Sequence, residues 1–434
     1  MRRARARLGQ TGPHRAGPPR PLPRHGRLPV NDCPVSLYGP RFQTDPTGLY
    51  QEMRAEHGPV VPVEMEGGIP AWLVIGYREL HHVVSDPAVF ARSSRRWNAW
   101  PKVPEDWPLL PLVMQLPTVL YSEGDEHRRR AGAIGDALAG VDAHELRTVA
   151  TRLADRLVDG FCGSTGTDLR AAYTARLPAL VLSWMYGLDD QRGDRLTNDM
   201  TTMIDGGPAA MDAQRALMAA MAELVAERRA SPGNDVVSRM IAHPAGFTDE
   251  ELVPELIVVL GGGHQPTGEW LGNALRLMLT DDGFADSIAG ARRSAREALN
   301  EVLWEDTPTQ IQAGRFAAHD VELGGRLIRE GDLLLLGLAG ANHDQRVHQG
   351  VHGPGRQGNH AHLSFSHGEH GCPFPAREIA ETVAVTGIEV LMDRLPDLEL
   401  AVPAAELRWR PSPWVRGVAS LPVTFTPAPP RGDS

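Results

Sequence analysis

The part of this sequence best equipped for chemistry is a cysteine set between a glycine-rich loop and an apolar helical stretch, Leu363-Ser-Phe365-Ser-His-Gly368-Glu-His370-Gly-Cys372-Pro373. Gly368 and Gly371 let the backbone approach a flat ligand and take turn geometry closed to other residues. Cys372 stands at a helix N-terminus, where the helix dipole favours a thiolate, and Pro373 suits a first helical position. That combination makes a metal ligand. A thiolate on iron pushes electron density through the metal and favours cleavage of an O–O bond. Two other readings compete. A free cysteine is often simply a buried thiol, and seven of the 17 histidines lie between His343 and His370, His360-Ala-His362 among them. Zinc, however, wants a closed tetrahedral set, and an irregular His/Gly loop is more often hydrogen-bonded or solvated.

The loop resembles that of the cytochrome P450 family, whose pattern F-x-x-G-x-H-x-C is met by Phe365, Gly368, His370 and Cys372. The resemblance runs from about Leu37 to Phe425 and includes Arg315-Phe-Ala317-Ala-His-Asp320, similar to the family's strand region before the cysteine loop. It implies a mainly α fold with small β-sheets (α+β), the family's triangular prism, with haem b between a long central helix and the Cys372 loop. By the same resemblance Cys372 ligates the iron, and Arg315 and His370 bind the haem propionates. His127, in Gly124-Asp-Glu-His127, is similar to the propionate-binding His of an earlier helix. Phe365 and Gly368 belong to the same cofactor contact.

Other positions depart from the family. Its oxygen-activating A-G-x-[DE]-T is replaced by Gly262-Gly263-His264-Gln265-Pro266. Gln265 cannot relay a proton as a carboxyl does, and Pro266 has no hydroxyl. Thr267 comes one residue late, about 100° round a helix. Gln265, Pro266 and Thr267 are therefore the candidate catalytic residues. The family's E-x-x-R pair reads Glu301-Val-Leu-Trp304 here, as in a small bacterial subgroup with Trp at that place. Trp304 offers no charge, so a buried Glu301 needs another cation; Arg356 is the expected one. Phe374 stands where the family usually has Gly and is expected against the porphyrin. The pattern H-x-x-x-R falls on Ala131, and Arg130, on nearly the same helix face, is expected to substitute.

These residues need particular elements to hold them. The capping box Thr248-Asp-Glu-Glu251 opens a helix running toward Leu279, which Gly261-Gly-Gly263 and Pro266 are expected to interrupt in its middle, at a cost of several kcal/mol in helix propensity. The apolar series Ala380, Val383, Ala384, Gly387, Ile388, Leu391 and Leu395 predicts a helix after Cys372. From His127 to about Arg229 the apolar spacing is helical, and Ser294 to Trp304 is another helix. Val61–Met65 and Ala71–Ile75 read as strands around Gly67-Gly68. Val321 to Ile328 reads as a hairpin, followed by a strand at Leu333–Leu338. Tyr77 to Phe90 reads as helical. The Trp- and Pro-rich stretch from Trp97 to Pro117 reads as an irregular connection able to line a pocket, with further walls expected near Leu260 and after Arg315.

Composition sets the outer limits. Residues 1–30 read as a disordered Arg/Pro-rich tail. It lacks the apolar centre of a secretory signal, and its prolines and glycines break the helix an organelle-targeting peptide needs. Residues 31–434 read as one domain. Net charge is -10 and only Lys102 is a lysine, so nucleic-acid binding by phosphate neutralisation is excluded. No apolar run approaches a membrane span, and the three cysteines have no paired spacing, which fits a reducing cytoplasm. The reading that results is a cytoplasmic haem-thiolate monooxygenase. It takes electrons from a ferredoxin and an NAD(P)H-dependent ferredoxin reductase and inserts one oxygen atom from O2 into a small apolar organic substrate. Its competitors are a peroxide-dependent or non-oxygenating haem-thiolate enzyme and a catalytically silent haem- and ligand-binding partner protein.

Overall fold

The computed structural model describes residues 33–289, 294–348 and 359–432, so the N-terminal tail and Arg356 lie outside the described residues. The first helices are α1 (Pro40–Thr44), α2 (Pro46–His57), α3 (Tyr77–Ser85), α4 (Gly124–Ala139) and α5 (Ala143–Asp159). Then come α6 (Arg176–Met185), α7 (Asp190–Asp205), α8 (Ala210–Ala230), α9 (Val236–Ala242) and α10 (Asp249–Thr280). The last are α11 (Asp282–Ala289), α12 (Ala295–Glu305), α13 (Leu338–Asn342), α14 (Gln345–His348) and α15 (Phe374–Arg394). The fold is mainly helical with small sheets, as expected.

The main sheet is built from β1 (Val35–Ser36), β2 (Val60–Met65), β3 (Ile69–Val74), β4 (Phe90–Ala91), β6 (Gln312–Ala317) and β9 (Leu333–Leu336), in the order β1-β2-β3-β9-β6-β4. β5 (Gly166–Asp168), β10 (Glu399–Leu400) and β11 (Pro422–Thr424) form a second sheet, and β7 (Val321–Leu323) pairs with β8 (Arg326–Ile328). The hairpin β2–β3 turns through Gly67 and Gly68, both with positive φ, where a side chain would be strained. All four leucines of β9 are buried because both faces of that strand are covered. One pairing matters for the site. In the antiparallel register Phe90 lies opposite Ala317 and Ala91 opposite Phe316, so the chain leaves β4 with Arg92 beside Arg315.

Helix α10 is continuous through its glycines and Pro266, which corrects the expected interruption. Its cap is the Thr248–Glu251 box, as expected. Tertiary burial holds it together: Leu252, Leu256, Leu260, His264, Trp270, Leu271 and Leu275 are all buried. The glycines serve packing. A Cβ at Gly261 would meet Met200 at 3.0 Å and one at Gly263 would meet Leu182 at 3.1 Å, while Gly262 faces open space. The structure differs from the sequence reading in two more places. Helix α3 stops at Ser85, and Phe90 belongs to a strand. The segment after Trp97 buries Trp97, Trp107, Leu109 and Val113 against the main sheet instead of lining a pocket.

Candidate active site

Three helices each turn one face to a cavity of about 580 Å³. Helix α10 contributes Val259, Gly262, Gly263, Pro266, Thr267 and Trp270; α15 contributes Ala376, Ile379, Ala380 and Val383; α4 contributes His127, Ala131, Ile134 and Leu138. Each set recurs every three or four residues, the spacing of a single helix face. Val181, Leu182 and Met185 of α6 close one side, and Leu303, Pro308, Thr309, Gln312 and Leu338 another. One of the expected pocket walls is therefore absent. Residues before Arg315 border the cavity as well as Leu338 after it, and the stretch from Trp97 does not reach it.

The Cys372 loop supplies the wall from Ser364 to Pro373. Its backbone closes on itself, with Cys372 N–H donating to the Phe365 carbonyl at 2.9 Å and Gly371 N–H to that of Gly368 at 3.0 Å. Gly368 has φ +75, and a Cβ there would sit 2.5 Å from the Val84 carbonyl oxygen. Its smallness thus serves an approach to protein backbone, and Gly371 shows no positive φ. Pro373 is the N-cap of α15 rather than its first residue. Phe365 packs edge-on against Trp270, ring centroids 5.8 Å apart. Burial pushes the Cys372 thiol up, and Arg377 only partly opposes this. The helix end does not by itself hold Cys372 as a thiolate.

Basic groups with unused donors crowd one end of the cavity, with Arg92, His127 and His370 on its wall and Arg315 buried behind them rather than lining it. His127 and His370 meet edge to face, with ring centroids 3.9 Å apart. Arg315 is 1% exposed and gives Nη1 to the Gly314 carbonyl, leaving Nε and Nη2 without acceptors. Arg92 is likewise buried, its Nε unpartnered, as are Nδ1 of His127 and of His370. His127 Nδ1 comes within 3.4 Å of Glu369 Oε1 without the alignment of a hydrogen bond. Burial, then Arg92, Arg315 and His127, push the His370 imidazole well below its ordinary range. So much unanswered positive potential fits an anionic group. An apolar slot with a cysteine on one wall and cations at its end suits a flat, dicarboxylate-bearing metal macrocycle. Arg92 escaped the sequence reading because it stands in the Arg-rich run Arg92-Ser-Ser-Arg-Arg96, where nothing local marks one arginine as buried.

Several expected site residues lie elsewhere. Arg130 turns away to the start of α10, where it meets Glu126 (2.6 Å), Glu251 (2.7 Å) and Glu255 (3.0 Å). Three carboxylates outcompete a position nearer the cavity. Gln265 points to the opposite face of α10, its Oε1 accepting from Arg410 Nη1 at 3.2 Å. Thr267, not Gln265, joins Pro266 on the cavity wall, so the one-residue offset is absorbed by the helix's actual rotation. Phe374 is 69% exposed and does not touch the cavity. Trp304 is fully buried and gives its indole N–H to the Asn359 carbonyl at 3.0 Å, a carbonyl that also accepts from Asn300. Among the described residues no cluster of three or more His, Cys, Asp and Glu could hold a metal ion in a zinc-like cage.

This fold, with a half-buried cysteine on one wall of an apolar cavity and a long helix on another, is that of the haem-thiolate class. Similarity to known proteins agrees with it. The chain is 28% identical over 393 residues to cytochrome P450 107B1 of Saccharopolyspora erythraea, spanning 88% of this chain and 95% of that one. It is 27% identical over 403 residues to vitamin D(3) 25-hydroxylase of Pseudonocardia autotrophica, spanning 90% and 96%. Among solved structures, CYP154C4 from Streptomyces sp. W2061 superposes with a TM-score of 0.83 at 25% identity, covering 90% of this chain and 97% of the other. No family model matches the chain. The chain is similar along most of its length to bacterial cytochrome P450s, a family whose cofactor is haem b.

Proposed function

We propose that this protein inserts one oxygen atom from O2 into a small apolar organic substrate in the cytoplasm. Its electrons come from a ferredoxin and an NAD(P)H-dependent ferredoxin reductase. The observation that carries the reading is the cavity: a cysteine on one wall, unpaired cations at one end and apolar side chains over most of the rest. Haem bound there would supply the redox chemistry of oxygen insertion, with Cys372 as the thiolate that would hold its iron. Arg315, His127 and His370 would hold its carboxylates, and Phe365 would pack beside it. Val119, Leu120, Val258, Val259 and Leu338 exclude water and favour an apolar substrate, leaving Thr309 and Gln312 as polar positions to orient it. Thr267 brings the only hydroxyl that α10 contributes to this wall among the described residues, and it is the group placed to pass a proton. Pro266 has no N–H, so the Gly262 carbonyl one turn back loses its helical donor and is free to accept from a water or a substrate hydroxyl.

The test of the cofactor reading is spectroscopic. The reduced protein with carbon monoxide should give the red-shifted Soret band of a thiolate haem, and Cys372→Ser should abolish it. Retention of that band in Cys372→Ser would sink the assignment of the ligand. Gln265, turned away from the cavity, favours the second reading, a peroxide-dependent or non-oxygenating enzyme. Turnover with peroxide but none with NAD(P)H, ferredoxin and reductase would decide for it. No turnover in either regime would leave a haem- and ligand-binding partner protein.

A further inference from the structure

Haem b carries two carboxylates, and a buried site for them calls for two permanent cations, because an imidazole is only fractionally charged near neutral pH. Arg315 is one. The sequence position expected to furnish the second is Ala131, and Arg130 is consumed by Glu126, Glu251 and Glu255. We propose that Arg92 is the second cation of the haem carboxylate site, replacing the arginine that Ala131 lacks. This rests on the haem reading above.

Arg92 borders the cavity together with His127 and Ala131 and is 4% exposed. Its Nη1 donates to the Gly314 carbonyl at 2.8 Å, which fixes the guanidinium, while Nε has no acceptor. The neighbouring carboxylate does not answer it. Glu123 Oε1 accepts the backbone N–H groups of Arg92 and Ser93, and Oε2 faces Arg96 at 3.7 Å. A buried guanidinium without a carboxylate is costly to keep. The β4–β6 register sets it beside Arg315, which is buried behind the cavity wall and close enough to His370 to act on it, so the two strands bring one cation each to the same region. A purely structural task is weakly supported, because the Gly314 carbonyl that Arg92 holds also accepts from Arg315 Nη1 at 3.1 Å.

The experiment uses the haem-loaded protein and follows transfer of haem to excess apomyoglobin, with the midpoint potential as a second readout. Arg92→Ala should lose haem on the order of tenfold faster or more, the effect of deleting a charge-assisted hydrogen bond. Its potential should move to more negative values, since a positive charge near the iron is gone. Adding Ala131→Arg to Arg92→Ala should bring both quantities back toward wild type, which a scaffold role for Arg92 does not predict. Haem loss from Arg92→Ala at the wild-type rate overturns the proposal, as does failure of Ala131→Arg to slow it. If Arg92→Ala yields too little holoprotein, Arg92→Lys serves instead: it keeps the charge but not the fork, and haem loss between wild type and tenfold faster is expected, with loss unchanged overturning the proposal. A wild-type protein lacking the thiolate-haem carbon monoxide band would sink the haem reading itself, a result separable from any Arg92 phenotype.

Discussion

Trp304 shows how one residue can keep a supporting task while changing its chemistry. Its N–H ties α12 to the Asn359 carbonyl, and its ring stands edge-on to His362 at 5.9 Å. Trp304→Phe keeps the packing and removes one donor from a carbonyl that Asn300 still serves, so a loss of about 1 kcal/mol is expected. Trp304→Ala also opens a cavity and should cost roughly 3–5 kcal/mol. Urea midpoints at constant slope measure both, and equal losses would mean that the hydrogen bond, not the packing, dominates. The same scale explains Arg130. A side chain of that length settles where carboxylates cluster, and Glu126, Glu251 and Glu255 lie within its reach. The resulting ion-pair network joins α4 to the first turns of α10.

At the scale of elements, α10 is the beam of the site. Its interior proline removes one backbone hydrogen bond and crowds the preceding turn, a defect of about 3 kcal/mol in an ordinary helix. Burial along most of its length offsets that. Pro266→Ala should therefore raise the unfolding free energy by about 1–3 kcal/mol, less whatever the lost ring packing contributes, read from the urea midpoint of the haem-free protein. An unchanged or lower midpoint would mean that the ring's own contacts matter more than the missing bond. The C-terminal end of α7 is fastened to the same beam. Arg410 pairs with Asp205 at that end and with Glu269 on α10, and it also donates to Gln265. Gln265 thus belongs to a buried charge network behind the helix, which is why it cannot face the cavity.

For the whole molecule, we propose one domain from residue 31 onward, since the largest apolar cluster runs from Ala133 to Phe425 and a second runs from Leu37 to Val415. No helix of the described residues is long and apolar enough to cross a membrane. Acid should unsettle the fold through neutral buried histidines. Burial pushes His264 down to about 4, with Arg410 and Arg170 adding to the effect against the Ala175 hydrogen bond. His362 is also pushed down to about 4, by burial and then by His360 and Arg377. Between that value and the ordinary 6.5 the unfolded chain binds a proton that the folded chain refuses, so stability falls as pH drops through this window. The loss reaches roughly 3 kcal/mol per group by the bottom of it. Unfolding free energies measured from pH 7 to pH 5 should show this slope, and His264→Gln should make it shallower by one histidine's share. A slope untouched by His264→Gln would place the acid sensitivity elsewhere.

The cysteine loop, the capping box at Thr248 and the alternating strands were legible in the sequence because each is a local matter of spacing, turn geometry or cap chemistry, whereas the second box at Ser294 was read only as a helix start. The fold class followed from them. The facing of individual side chains did not. Arg92 is a binding candidate only because β4 pairs with a strand more than two hundred residues later, and Arg130 and Gln265 leave the cavity because distant carboxylates and Arg410 draw them away. Local periodicity says that a helix exists and roughly which face is apolar. Its rotation about its own axis, which chose Thr267 over Gln265 and Ala131 over Arg130, is decided by long-range packing and ion pairs that only the tertiary structure brings together.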